Sequence, residues 1–209
     1  MSRKLIITFE GIEGSGKSYH IKNVSKYLKK KKIKFITLRE PGGSINSEKI
    51  RKLILNKKSN FNQNTDLLLY LASRSENVEK IIKIHYKKKI ILIDRFIDST
   101  LAYQHYGMGI NKNLIEKFNK YILKNIRVDF TFLHTTSINN LKKRLHKRKK
   151  LNRYDNFKTT FYKKVQKGYI KISHKNKKRY ILIDSNKKIA ENKKIIINKL
   201  NKLLNLKND

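Results

Sequence analysis

Cysteine is absent from the 209-residue chain, so neither a disulfide framework nor a thiolate metal site is available to it. Proline occurs once, at Pro41, and glycine eight times; no stretch reads as a flexible linker, and one compact domain over residues 1–209 is the expectation. Long apolar runs are missing as well. The apolar start ends at Glu10, too early for a secretory signal, and no later run approaches a membrane span. A cytoplasmic protein with no membrane partner is therefore expected. Acidic residues are scarce: 15 Asp and Glu stand against 52 Lys and Arg, for a formal net charge of +37. Taken alone, that surplus suggests a polyanion binder. The lysines are spread along the chain among isoleucine and asparagine, however, and form no single basic arm. AT-rich codons alone would generate that mixture, and no specific nucleic-acid partner is expected.

What is present is a regular alternation. Residues 4–9 read as a short buried strand, followed by a glycine-rich turn and a helix with Ile21, Val24 and Leu28 on one face. Residues 33–38 form the next strand and end at the loop Arg39-Glu40-Pro41-Gly42-Gly43. A helix from about Ser44 carries Ile50, Leu53 and Ile54, and a longer one covers roughly residues 64–86. The fully apolar run 90–93 is the pattern of a strand covered on both faces. Leu114, Phe118 and Tyr121 make a helical stripe; residues 130–133 are a strand; Ser137 is the expected N-cap of a helix with Ile138, Leu141 and Leu145. A basic stretch, 146–153, interrupts that region. Residues 157–173 read as helix, 180–183 as the last strand, and Ile196, Leu200 and Leu203 lie on a closing helix. Parallel strands need crossovers, and here the crossovers are helical. The expected fold is α/β, a doubly wound parallel five-stranded sheet flanked by helices, with ligands at the carboxyl ends of the strands.

Gly11-Ile12-Glu13-Gly14-Ser15-Gly16-Lys17-Ser18 matches the Walker A pattern without a mismatch and lies between a strand and a helix. Glycines let backbone N–H groups turn inward around phosphate oxygens, and the helix N-terminus adds positive potential. In such a P-loop Lys17 reaches the β- and γ-phosphates and the Ser18 hydroxyl ligates Mg²⁺. The fold expectation sharpens to a P-loop NTPase binding ATP, with GTP not excluded by the loop itself. Asp94 ends the apolar strand 90–93, the place for a carboxylate near Mg²⁺, with a helix cap as its alternative reading. Arg95 offers a planar fork suited to phosphate oxygens, or a surface ion pair with Asp94 or Asp98.

The segment Asp94-Arg95-Phe96, followed by Ser99 and Ala102-Tyr103-Gln104, resembles the thymidylate kinase signature. Gly11-Ile12-Glu13-Gly14, residues 39–43 and Tyr70-Leu71-Ala72-Ser73-Arg74 fall in the family's order over nearly the whole chain. The resemblance implies transfer of the ATP γ-phosphate to dTMP, giving dTDP and ADP, by a homodimeric enzyme. Tyr70 stands where the family usually has a phenylalanine stacked on thymine; Arg74, Thr100 and Gln104 would hydrogen-bond the base; Tyr103 would lie near the deoxyribose. Arg51 and Arg95 would hold the monophosphate, Arg39 and Glu40 would shape the adjoining loop, and Glu13 would face the sugar 3′-hydroxyl in a positioning role. Family members take one catalytic arginine from the P-loop or from a lid. Gly14 occupies the P-loop position, so a lid at about 144–156 would supply it, with Arg153 the first choice and Arg148 the second among Arg144, Arg148 and Arg153. The bland alternative for residues 146–150 is a solvated basic helix end. His134 departs from the aspartate usual in bacterial relatives and receives no role.

Two other readings compete with this one. One is another nucleotide or deoxynucleoside kinase of similar fold, against which the Tyr103-Gln104 pair and residues 70–74 argue. The other is a P-loop nucleic-acid-binding protein suggested by the charge, for which no folded domain remains once the kinase elements are placed.

Overall fold

The structure is a computed structural model that describes residues 4–147 and 152–206. Five parallel strands, β1 (Ile6–Glu10), β2 (Phe35–Arg39), β3 (Ile90–Asp94), β4 (Phe130–Thr135) and β5 (Tyr180–Asp184), stand in the order β2-β3-β1-β4-β5. Ile7 of β1 pairs with Leu92 on one side and Phe130 on the other, so β1 is central and buried on both faces. That is why the strands read as continuous apolar runs. On one face Ile7, Phe9, Leu92 and Phe132 pack under α1 (Lys17–Lys30) and α9 (Ile189–Leu204) through Val24, Leu28, Ile196 and Leu200. On the other face Ile6, Ile91 and Ile93 meet Val78 and Ile82, which lie in a π-helical turn. That turn continues α3 (Gln63–Asn77) and leads into the short α4 (Lys83–His85). The long helix expected over 64–86 is this composite.

The remaining elements frame the carboxyl end of the sheet. They are α2 (Ile45–Leu55), the short α5 (Ile97–Thr100) with its π-helical continuation Leu101–Gly107, and α6 (Lys112–Leu123). After β4 come α7 (Ile138–His146), a 3₁₀ turn (Arg153–Asn156) and α8 (Thr159–Lys175). Side chains cap the starts: Ser44, Asn62 and Ser137 accept from Ser47, Thr65 and Asn140 N–H groups, Ser137 as expected.

Two apolar stripes are corrected. On α6, Leu114 and Tyr121 are 43% and 77% exposed, and the buried line is Ile115, Asn119, Leu123. The stripe is turned because its middle member is polar and invisible to an apolar period. Asn119 is buried because it accepts from Arg74. On α2, Leu53 faces out while Ile54 is fully buried.

Candidate active site

β1 ends at Glu10 and the chain turns directly into the glycine loop. Residue 11 must be glycine: its φ is 136°, and a Cβ there would lie 2.2 Å from the His134 carbonyl oxygen. Gly16, at φ 85°, precedes α1 with no capping side chain, which leaves the helix N-terminus open toward the cleft. The Lys17 ammonium folds over the loop and donates to the carbonyls of Gly11 (2.9 Å) and Ile12 (2.8 Å) and to Ser15 Oγ (3.3 Å). Burial first, then the Arg95 charge, pull its pKa down to about 7, against the carboxylates of Asp94, Glu13 and Glu10. The Ser18 hydroxyl donates to Asp94 Oδ2 at 2.9 Å, so the two residues expected beside Mg²⁺ are in contact. His134, buried below the loop, directs Nδ1 at the Phe132 carbonyl and is pushed down to about 3 by burial, so it stays neutral.

Arg95 follows Asp94 in a left-handed conformation, φ 64°, with its N–H on the Phe9 carbonyl. Its guanidinium pairs with Glu13 (3.0 Å), meets the Tyr169 hydroxyl (3.3 Å) and lies 5.0 Å from the centre of the Tyr103 ring. Tyr103 donates its hydroxyl to the other oxygen of Glu13. Glu13 is therefore clasped between an arginine and a tyrosine.

The opposite wall comes from α2, α3 and the π-helical segment. Glu40, Arg51, Tyr70, Arg74, Arg95, Thr100, Tyr103 and Gln104 all line one cavity of about 430 Å³ together with Glu13–Ser18 and Asp94. Arg74 is a buried strut: Nε donates to Glu40 (2.8 Å), NH1 to Asn119 (2.7 Å), and its plane lies 5.2 Å from the Phe96 ring centre. Asn77 donates to Glu40 and to the Gly42 carbonyl, fixing the loop that Arg39 braces from outside through Glu48. Arg51 donates to the Pro41 carbonyl. Among the described residues, Thr100 Oγ1 and Gln104 Nε2 are buried without a partner, an open pair of polar atoms on this wall.

The three arginines expected to form a lid part company. Arg144, on α7, donates to the Gly14 carbonyl (2.7 Å) and the Ser185 carbonyl (2.8 Å), and its Cβ flanks Gly14. Arg153 pairs with Asp66 at the start of α3, near the rings of Phe61 and Tyr154, and does not line the cavity. Arg148 lies outside the described residues. Sequence reasoning missed Tyr154, which donates to Asp66 and meets Tyr70 and Tyr103 edge-on. It also missed Glu10, Ser99 and Tyr169 behind Arg95. Glu10 had a signal, a carboxylate at the end of a buried strand next to the glycine loop. Tyr169 had none, since α8 brings it in from 74 residues away.

Comparison with known proteins places the chain in a family. The model of the thymidylate kinase family matches residues 9–196. A thymidylate kinase of Acholeplasma laidlawii is 41% identical over 206 residues, covering 96% of this chain and 100% of the relative. One of Thermosipho africanus is 40% identical over 197 residues, covering 92% and 97%. The crystal structure of thymidylate kinase from Ehrlichia chaffeensis superposes with a TM-score of 0.77 at 32% identity, over 95% of this chain and 99% of that one.

Proposed function

The chain belongs to the thymidylate kinase family and phosphorylates dTMP with ATP as donor; from that premise we propose how its one cleft performs the transfer. The reading is carried by a single observation: residues 13–18 of the phosphate cradle and every expected acceptor-side residue line the same cavity. ATP enters on the Lys17 side and dTMP on the Arg95 side. A non-bridging oxygen of the dTMP phosphate attacks the γ-phosphorus, the bond from that phosphorus to the β,γ-bridging oxygen breaks, and ADP leaves with the electron pair. The attacking oxygen is already anionic, so no base is required, and catalysis is positioning and charge neutralisation.

Lys17 leaves its carbonyl partners for the β- and γ-phosphates. Arg95 and Arg51 hold the dTMP phosphate, Tyr70 stacks on the thymine ring, and Arg74, Thr100 and Gln104 read its edge. The unpartnered atoms of Thr100 and Gln104 support that role, since a buried donor or acceptor without a partner costs about 1–3 kcal/mol until one arrives. Tyr103 and Glu13 line the sugar pocket, Glu13 toward the 3′-hydroxyl. Glu40 acts one layer back, through Arg74. Arg153, with Arg148 as second choice, supplies the lid charge, which requires the 3₁₀ turn to leave Asp66. A Mg²⁺ ion fits the hard oxygen pair Ser18 and Asp94. No group of three or more acidic, histidine or cysteine ligands lies elsewhere among the described residues, so the phosphates would complete its shell. When bound, the ion would offset phosphate charge.

We read residues 1–209 as one kinase domain with its lid at about 144–156, cytoplasmic and homodimeric. Exposed apolar residues on helices that touch in the order α2–α3–α6, Leu53, Leu68 and Tyr121 among them, support the dimer. The test is an acceptor panel of dTMP, dUMP, UMP, CMP, AMP and GMP with Mg-ATP. The highest kcat/KM is expected for dTMP; a higher value for CMP or a purine monophosphate overturns the assignment of the wall residues.

A further inference from the structure

We infer that Tyr169 is a positioning residue for the transfer: its hydroxyl, oriented by Ser99 and Glu10, is a fixed acceptor for the Arg95 nitrogen that Glu13 leaves free. The inference rests on the reading of Arg95 as a holder of the dTMP phosphate.

Counting protons gives the chain a direction. Glu10 is buried at the end of β1, and its Oε1 accepts from the Phe96 N–H at 2.7 Å. Burial, then the Asp98 charge, raise the Glu10 pKa to about 7, so above that pH Glu10 is a carboxylate; its Oε2 lies 2.5 Å from Ser99 Oγ, and the single proton of Ser99 then goes to it. Tyr169 Oη lies 2.6 Å from Ser99 Oγ and 3.2 Å from Glu10 Oε2. With the serine proton committed, the tyrosine proton points the same way. Only a lone pair of Tyr169 then remains for Arg95 NH1, 3.3 Å away. Burial and the Glu10 carboxylate push the phenol well above its ordinary pKa, so it keeps its proton. Above about pH 7, Arg95 donates to Tyr169, Tyr169 to Ser99 and Ser99 to Glu10: a sequence of dipoles that ends on the Glu10 carboxylate and presents its negative end to the guanidinium.

The arginine needs such support. It sits in left-handed backbone, and Glu13, its other partner, belongs to the glycine loop. Without Tyr169 the fork would keep one hydrogen bond, to Glu13, and the Tyr103 ring face, neither of which fixes NH1. A shift of about 1 Å in a positioning group costs up to a hundredfold in rate.

The experiment is a double-mutant cycle read at pH 8, where Glu10 is a carboxylate, on dTMP kinetics at saturating ATP, with wild type, Tyr169→Phe, Arg95→Lys and the double variant. Tyr169→Phe keeps the ring and removes only the hydroxyl. It is expected to lower kcat/KM for dTMP about tenfold while the KM for ATP changes less than about twofold. In the Arg95→Lys background the same change is expected to cost less than about twofold, because the contact is already gone. Ser99→Ala, which disorients the phenol, is expected to follow the same pattern with a smaller loss. An equal loss in both backgrounds would mean that Tyr169 acts through the fold and not through Arg95, and would overturn the inference. So would an unchanged kcat/KM in both Tyr169→Phe and Ser99→Ala. If Arg95→Lys itself leaves dTMP kinetics intact, the reading of Arg95 has failed, and the inference falls with it by a different result.

Discussion

Lys17 shows how one residue can carry both binding and a stored cost. Its ammonium is buried under its own loop, and burial together with Arg95 lowers its pKa from 10.5 to about 7. Between about pH 7 and 10.5 the unfolded chain thus binds more protons at this site than the folded one. The stability contribution of Lys17 therefore rises with pH through that window, and below it the buried charge is a penalty. Nucleotide phosphates reverse the balance, since adjacent negative charge favours the protonated amine. At pH 8, where much of the free Lys17 is neutral, ATP binding should take up a proton. Titration calorimetry at pH 8 in buffers of different ionisation enthalpy should give binding heats that differ by up to one proton's worth. The difference should shrink toward pH 6 and vanish in Lys17→Met. Equal heats at pH 8 would show that the lysine is already charged in the free enzyme.

At the scale of elements, strands and helices were legible because both faces of the sheet are covered, so burial writes itself as apolar runs and helical stripes. The cradle was legible for a different reason, since phosphate binding constrains backbone and so fixes glycines at set intervals. What could not be read was polar burial. The inner face of α6 passes through Asn119, and the support behind Arg95 runs through Glu10, Ser99 and Tyr169, contributed by β1, α5 and α8. Such residues look like surface until their partners are placed. The proposed lid belongs to the same class: its arginines were visible, but not that Asp66 would hold Arg153 on α3 while Arg144 takes the Gly14 carbonyl. This division of labour has a measurable consequence. Arg153→Ala should lower turnover by about a hundredfold or more, the cost of one charge aimed at a transition state, while ATP affinity changes only a few-fold. Full turnover in both Arg153→Ala and Arg148→Ala would remove the lid from the mechanism.

Over the whole molecule the dominant fact is charge. With 52 basic and 15 acidic residues, most lysines have no acid to meet, and the fold holds many like charges in one small volume. Self-repulsion opposes the compact state, and salt relieves it. The screening length falls from about 30 Å at 0.01 M to about 10 Å at 0.1 M, which turns repulsion across the molecule into repulsion between near neighbours only. Salt also weakens ion pairs, but exposed ones are worth only about 0–1 kcal/mol each. The buried pair Arg74–Glu40 and the partly buried pair Arg153–Asp66 are screened much less. The repulsive term should therefore win, and Tm should rise by a few degrees between 0.02 and 0.2 M NaCl, since about 1 kcal/mol corresponds to roughly 2–4 °C for a chain of this size. The same reasoning separates diffuse charge from an evolved nucleic-acid surface. Duplex DNA should bind at low salt and dissociate as NaCl approaches physiological strength, because diffuse lysines contribute counterion release and no base contacts. A Tm that falls with NaCl would show that ion pairing outweighs repulsion, and duplex binding that persists at 0.15 M NaCl would restore the polyanion partner.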